Sequence, residues 1–290
     1  MSEQVDTLRL RDGRELSYGT TGPRDGRPVV YCHSLPGSHV QPHFTEALMH
    51  ELGVRLLALD RPGFGRSDFK PGRTVTEWPD DVAEFADALG LETFSLLGVS
   101  AGAPYLLACC LRIPERVERC AIMSGITPGD PPSLIHSVAP APVRWAVRHS
   151  RRVSYGIHTA LVAGMRRRPD RALVAMSRNP SEIDAAILRR PEVGQFVLSL
   201  CLAAAERGVR GWVYDDWLLS RDWDFAPSDL DPRVQVDLWY GEKDPAIPVE
   251  HVRKLAEQLP NARLHLLPGE AHFSIIFNRT PEVFTTLLLP

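Results

Sequence analysis

The sequence predicts an α/β fold built on a mostly parallel sheet, and three observations lead there. Short apolar runs recur in the first and last parts of the chain. Helical patterns separate those runs, the alternation that parallel sheets under helices require. From about Thr127 to Pro227 the strand signal disappears and only helical patterning remains.

The elements follow in order. Val5–Leu10 and Glu15–Gly19 read as strands joined through Asp12-Gly13, a hairpin signal. Pro28–Cys32 (PVVYC), Val54–Leu59 (VRLLAL), Phe94–Leu97 (FSLL) and Cys120–Met123 (CAIM) are continuous apolar runs that end in turn residues. Runs of that kind suit strands buried on both faces. Phe44–Leu52, Thr76–Leu89 and Ala101–Leu111 lie between them with helical spacing. Pro79 falls in a first turn, where its missing N–H costs little, and Gly90 follows as a stop.

In the long middle stretch the pattern predicts helices over Val143–Arg152, Val153–Arg167, Arg171–Arg178, Ser181–Arg190, Glu192–Arg207 and Val209–Ser220. Pro169, Pro180 and Pro191 sit near helix starts and Gly208 near a stop. Strand character returns at Val234–Tyr240 and Arg263–Leu267, with helices at Val249–Leu259 and Phe273–Leu288. The domain reading is therefore a core of residues 1–126 and 228–290 with a helical insertion at 127–227.

Composition narrows the class. The 290 residues are 44% hydrophobic and 24% charged, enough for a sizeable core. With 36 acidic and 33 basic residues the net charge is −3, without the basic excess of a nucleic-acid binder. No apolar run reaches the roughly 18 residues of a membrane span. The opening segment MSEQVDTLRLRDGREL lacks the apolar centre of a secretion signal. The five cysteines, Cys32, Cys109, Cys110, Cys120 and Cys201, form no C-x-x-C pair, and most lie in apolar stretches. Buried reduced thiols in a cytoplasmic protein are the expectation, with no metal and no cofactor.

Gly98-Val99-Ser100-Ala101-Gly102 fits G-x-S-x-G. The bare motif is weak, because composition produces it by chance in about one chain in ten of this length. Its setting is specific: a buried strand precedes it and a helix follows, the context of a serine held exposed on a strained turn. The flanking glycines are expected where side chains would strike neighbouring backbone. A serine nucleophile needs a base, and the base needs an orienting acid. Asp244 lies just past the strand Val234–Tyr240, and His272 just past the strand Arg263–Leu267. All three candidates thus fall in the order Ser, acid, His at the carboxyl ends of strands, where open α/β sheets build sites.

With these residues in place, the chain resembles the serine α/β-hydrolases, the esterase/lipase-like superfamily with a helical cap. Tyr31–Ser38 (YCHSLPGS) and Asp60–Asp68 (DRPGFGRSD) support the resemblance. Relatives usually carry His-Gly-x-Pro-Gly in the first loop, and here Ser34 replaces the glycine. The resemblance implies an oxyanion hole formed by the Leu35 and Ala101 backbone N–H groups. It implies a catalytic triad of Ser100, Asp244 and His272, and an apolar pocket under the cap.

His33, Ser34, Trp212 and Trp217 are candidate pocket residues. Asp130, past the strand Cys120–Met123, is the rival acid. Asp60 reads as a turn-stabilising carboxylate, and Asp215 and Asp216 read as solvated. His39 and His43 are four apart, but Pro42 between them argues against a metal-binding helix face.

The function expected is hydrolysis of a carboxylic ester or lactone of a small-to-medium, largely apolar substrate through an acyl-enzyme. Two alternatives stand beside it. The same triad could act on another bond, as in C–C hydrolases, thioesterases, amidases or lyases, including those of secondary metabolism. Or the fold could serve as a non-catalytic ligand receptor. A small molecule is the partner expected, with no nucleic acid and no membrane; monomer and homodimer are both open.

Overall fold

The computed structural model describes residues 5–130, 141–178 and 181–289. Pro180, expected at a helix start, lies outside them. Eight strands form one sheet: β1 (Val5–Arg9), β2 (Glu15–Thr21), β3 (Arg27–Cys32), β4 (Val54–Leu59), β5 (Phe94–Val99), β6 (Val117–Met123), β7 (Val236–Gly241) and β8 (Ala262–Leu267). Their order is β1-β2-β4-β3-β5-β6-β7-β8. β1 and β2 pair antiparallel, β2 pairs antiparallel with β4, and every pairing from β4 to β8 is parallel.

The apolar runs form parallel strands because both of their faces are covered. Along β5, Phe94 and Leu96 join one core cluster while Leu97 and Val99 join the other. The same alternation separates Val30 and Cys32 from Val29 and Tyr31 on β3. Successive side chains in a strand point to opposite faces, so a continuous apolar run needs apolar cover on each side. On one face lie α2 (Trp78–Ala88), α3 (Ala103–Arg112) and the later helix Val249–Gln258. On the other lie α1 (Glu46–Leu52) and the last helix, Ser274–Leu287.

Between β6 and β7 the described residues form six helices: α4 (Ala141–His149), α5 (Arg151–Arg167), α6 (Pro169–Met176), α7 (Glu182–Leu188), α8 (Pro191–Ala204) and α9 (Arg210–Leu219). The helix Val249–Gln258 is α10 and Ser274–Leu287 is α11. This helical segment is not a separate layer. Val162, Ala204, Trp212 and Val213 share a core cluster with Leu59, Phe64 and Trp78 of the α/β part. No helix among the described residues is long and apolar enough to cross a membrane. All five cysteines are free and buried.

The strand order places the site. β3 has β4 on one side and β5 on the other. The connections therefore leave β3 and β5 in opposite directions and open a crevice at their carboxyl ends. Cys32 sits beside Gly98 in that pairing, so the loop after β3 and the turn after β5 emerge next to each other.

Candidate active site

Ser100 follows β5 with φ 53°, a left-handed conformation costly for a side-chain-bearing residue. Val99 before it is extended, and Ser100–Gly102 form a single 3-10 turn that leads into α3. The chain thus reverses from strand to helix over three residues. Gly102 is required there: a Cβ would lie 2.4 Å from the Cys32 carbonyl oxygen. Gly98 differs from expectation, because its nearest neighbour is the Leu106 side chain, 2.4 Å from a built Cβ, and not backbone.

His272 and Asp244 meet as the spacing predicts. His272 Nδ1 lies 2.7 Å from Asp244 Oδ2. The other carboxylate oxygen accepts from the Ala246 N–H at 2.8 Å and the Ile247 N–H at 3.2 Å. The acid is therefore fixed by its own turn while it orients the ring. Commitment of Nδ1 to Asp244 leaves Nε2 as the nitrogen available to a substrate. Burial pulls the imidazole pKa down, but the charge and hydrogen bond of Asp244, with the charge of Asp184, outweigh it. The net result lies above the ordinary histidine value.

Ser124, which sequence reasoning missed, braces both loops. It also has positive φ, 46°, directly after β6. Its hydroxyl donates to the His272 carbonyl at 3.0 Å, and its N–H donates to the Trp239 carbonyl at 2.9 Å. Two residues on, the Ile126 N–H donates to the Ser100 carbonyl at 3.1 Å. One short segment after β6 thus ties the serine turn to the histidine loop. Asp130, the rival acid, is engaged elsewhere. Its Oδ1 lies 2.6 Å from His251 Nδ1, and its Oδ2 accepts from the Thr127 N–H and hydroxyl.

The loop after β3 is held from behind. His33 Nδ1–H donates to the Ser34 carbonyl at 2.8 Å, while its Nε2 accepts from the Arg61 N–H at 3.2 Å. Burial, the Arg61 charge and His39 hold the His33 pKa well below the ordinary value, so this ring is neutral. Arg61 donates to the His33 carbonyl and, at 3.2 Å, to the Ser34 carbonyl. In a trans peptide the N–H points away from the preceding C=O. Fixing the Ser34 carbonyl on Arg61 therefore turns the Leu35 N–H to the opposite side. Ser34 itself is occupied, since its N–H donates to Gln41 Oε1 and its hydroxyl to the Pro36 carbonyl, both at 2.8 Å.

Asp215 and Asp216 correct the sequence reading, which placed them in solvent: neither is exposed. Asp215 accepts from Arg61 Nε at 2.9 Å, Arg73 Nη2 at 2.6 Å and the Tyr105 hydroxyl at 2.7 Å. Asp216 Oδ2 lies 2.8 Å from His158 Nε2. Their partners come from distant parts of the chain, so local charge and periodicity on α9 carried no signal of burial. Asp60 departs from the expected turn-stabilising role: its carboxylate accepts from the Ser17 hydroxyl and the His39 N–H, tying β2 and the loop after β3 to the end of β4. The remaining pocket candidates part company. Trp212 is buried against His158, and Trp217 lies between the guanidinium groups of Arg151 and Arg221, 4.8 and 4.1 Å from its ring centroid.

Residues 27–147 match the family model described as the alpha/beta hydrolase fold. A non-heme chloroperoxidase from Streptomyces lividans is 33% identical over 126 residues, 43% of this chain and 46% of that protein, so the match spans under half of that relative. A 2-hydroxymuconate semialdehyde hydrolase from Pseudomonas putida is 26% identical over 263 residues, 87% of this chain and 83% of the relative. Among solved structures, an alpha/beta hydrolase fold protein from Nakamurella multipartita aligns with a TM-score of 0.72 at 22% identity, over 98% of each chain. Sheet order, serine turn and these likenesses agree on the fold: the chain has the α/β-hydrolase fold.

Proposed function

We propose that this protein is a serine hydrolase that cleaves a carboxylic ester or lactone of a small-to-medium, largely apolar substrate. The observation that carries this reading is the His272–Asp244 pair, 2.7 Å apart, on loops braced to a serine at φ 53°. His272 Nε2 takes the proton from the Ser100 hydroxyl as the oxygen attacks the carbonyl carbon. Asp244 steadies the imidazolium that forms. The Leu35 and Ala101 N–H groups receive the developing oxyanion, each worth about 3–4 kcal/mol where such a donor has been removed in other enzymes. The leaving alcohol takes the proton from His272. Water, deprotonated by the same nitrogen, then releases the acid and restores Ser100.

Residues 127–227 act as a cap over the strand ends in this reading. Phe196 of that segment packs against Phe44 and Phe277, at 5.7 and 6.4 Å between ring centroids, an aromatic contact that joins the segment to the α/β part.

A fluorophosphonate probe with a panel of activated esters and lactones tests the proposal. Ser100 is expected to label, and Ser100→Ala to lose labelling and at least about 10⁴-fold in turnover. Unlabelled Ser100, or turnover that survives the alanine variant, overturns it; an unlabelled Ser100 together with no turnover on any substrate favours a ligand receptor. A second reading rests on a relative that aligns over most of both chains, a 2-hydroxymuconate semialdehyde hydrolase. The same triad would then cleave a carbon–carbon bond beside a ketone. Vinylogous diketones in the panel separate the two.

A further inference from the structure

Asp184 lies on α7 in the helical segment, yet its carboxylate is committed to the loop after β8. Its Oδ1 accepts from the Phe273 N–H and the Ser274 N–H, both at 2.9 Å. These are the two residues that follow His272 and open α11. The first N–H groups of a helix lack partners within the helix and favour a negative charge. A local side chain usually supplies that acceptor, but the residue at the α11 N-cap is Phe273, which cannot.

The acceptor therefore comes from a residue far upstream that has no solvent exposure. Its second oxygen, Oδ2, is buried without a hydrogen-bond partner among the described residues. A buried carboxylate oxygen in that state is costly, and a neutral acceptor such as asparagine in place of Asp184 would satisfy the same two donors without it. The charge itself thus needs an account, and His272 supplies one.

We propose that Asp184 is a positioning residue for His272, fixing the backbone that follows it and holding a second carboxylate near its ring, so that the base is fully set only while the helical segment is seated on α11. This rests on the hydrolase reading. Two carboxylates bear on the ring from different elements, Asp244 from the loop after β7 and Asp184 from α7, and both favour the imidazolium. Burial raises the Asp184 carboxyl itself and Asp244 adds to that, while the two N–H groups and the charge of His272 oppose it. Glu270 of the same loop is engaged by Asn278 and Arg279.

The test compares Asp184→Asn, which keeps an acceptor oxygen but not the charge, with Asp184→Ala, which loses both. One readout needs no substrate: the NMR titration of the His272 ring in the free protein. The other is the rate of fluorophosphonate labelling at Ser100 across pH. Asp184→Asn is expected to move the His272 midpoint acidward while thermal stability stays close to wild type. Asp184→Ala is expected to slow labelling as well, by about 10- to 100-fold, the scale of a small misplacement of a catalytic group. Asp184→Glu should recover part of the titration shift.

Folded variants that titrate and label like wild type overturn the proposal. If Asp184→Ala fails to fold, Asp184→Asn decides alone. A wild-type protein that never labels, with the midpoint still shifted in Asp184→Asn, removes the hydrolase reading and leaves the link between Asp184 and His272 standing.

Discussion

The Arg61 guanidinium and the Asp215 carboxylate meet at 2.9 Å with neither side chain reaching solvent. Asp215 comes from α9, Arg61 from the loop after β4, and the same guanidinium holds the carbonyls of His33 and Ser34. Tyr105 on α3 binds the same carboxylate. One buried ion pair thus joins the helical segment, the serine helix and the loop proposed to bind the oxyanion.

Removing Asp215 would leave the Arg61 charge buried without its partner. Asp215→Ala is expected to lower stability by about 3–5 kcal/mol, read from urea denaturation. Arg61→Lys keeps the charge but not the planar fork that reaches both carbonyls and Asp215. It is expected to lower kcat by up to about 10²-fold, the lower range for loss of one oxyanion donor. Unchanged kcat in folded Arg61→Lys would separate this network from catalysis.

The raised His272 pKa fixes a pH profile. As the proposed base, His272 works only when neutral, so kcat/KM is expected to fall as pH drops through the folded-state value. The acid limb is therefore expected above the ordinary histidine value of about 6.5. Asp244→Asn removes the main cause, moves the limb acidward, and lowers maximal turnover by about 10⁴-fold. Stability carries the matching sign: the contribution of this pair is complete below the ordinary histidine pKa and is lost as pH rises through the folded value. A wild-type limb at or below the ordinary value contradicts the Asp244–His272 coupling.

Gly102 is the third test. A methyl there would press on the Cys32 carbonyl, which is backbone and cannot rotate aside. Gly102→Ala is expected to cost about 1–3 kcal/mol and to displace the serine turn from the loop after β3, lowering the labelling rate. Gly164 in α5 has open space around its Cβ position. Gly164→Ala should therefore leave labelling unchanged and gain up to about 1 kcal/mol from helix propensity.

By itself the sequence determined the sheet, the helical segment and the placing of Ser100, Asp244 and His272 just past strand ends. The reason is local. Apolar runs of strand length, helical periods and turn residues act over a few positions, and parallel strand ends bring the loops after β5, β7 and β8 to one edge. Only the tertiary structure decided which of Asp130 and Asp244 meets His272. It also decided that Asp215 is buried, that Ser124 braces the loops, and that Asp184 holds the start of α11. Those side chains act through partners 28 to 154 positions away. A charged residue on an amphipathic helix looks the same in sequence whether water or a buried arginine awaits it, because the packing of the helix chooses between them.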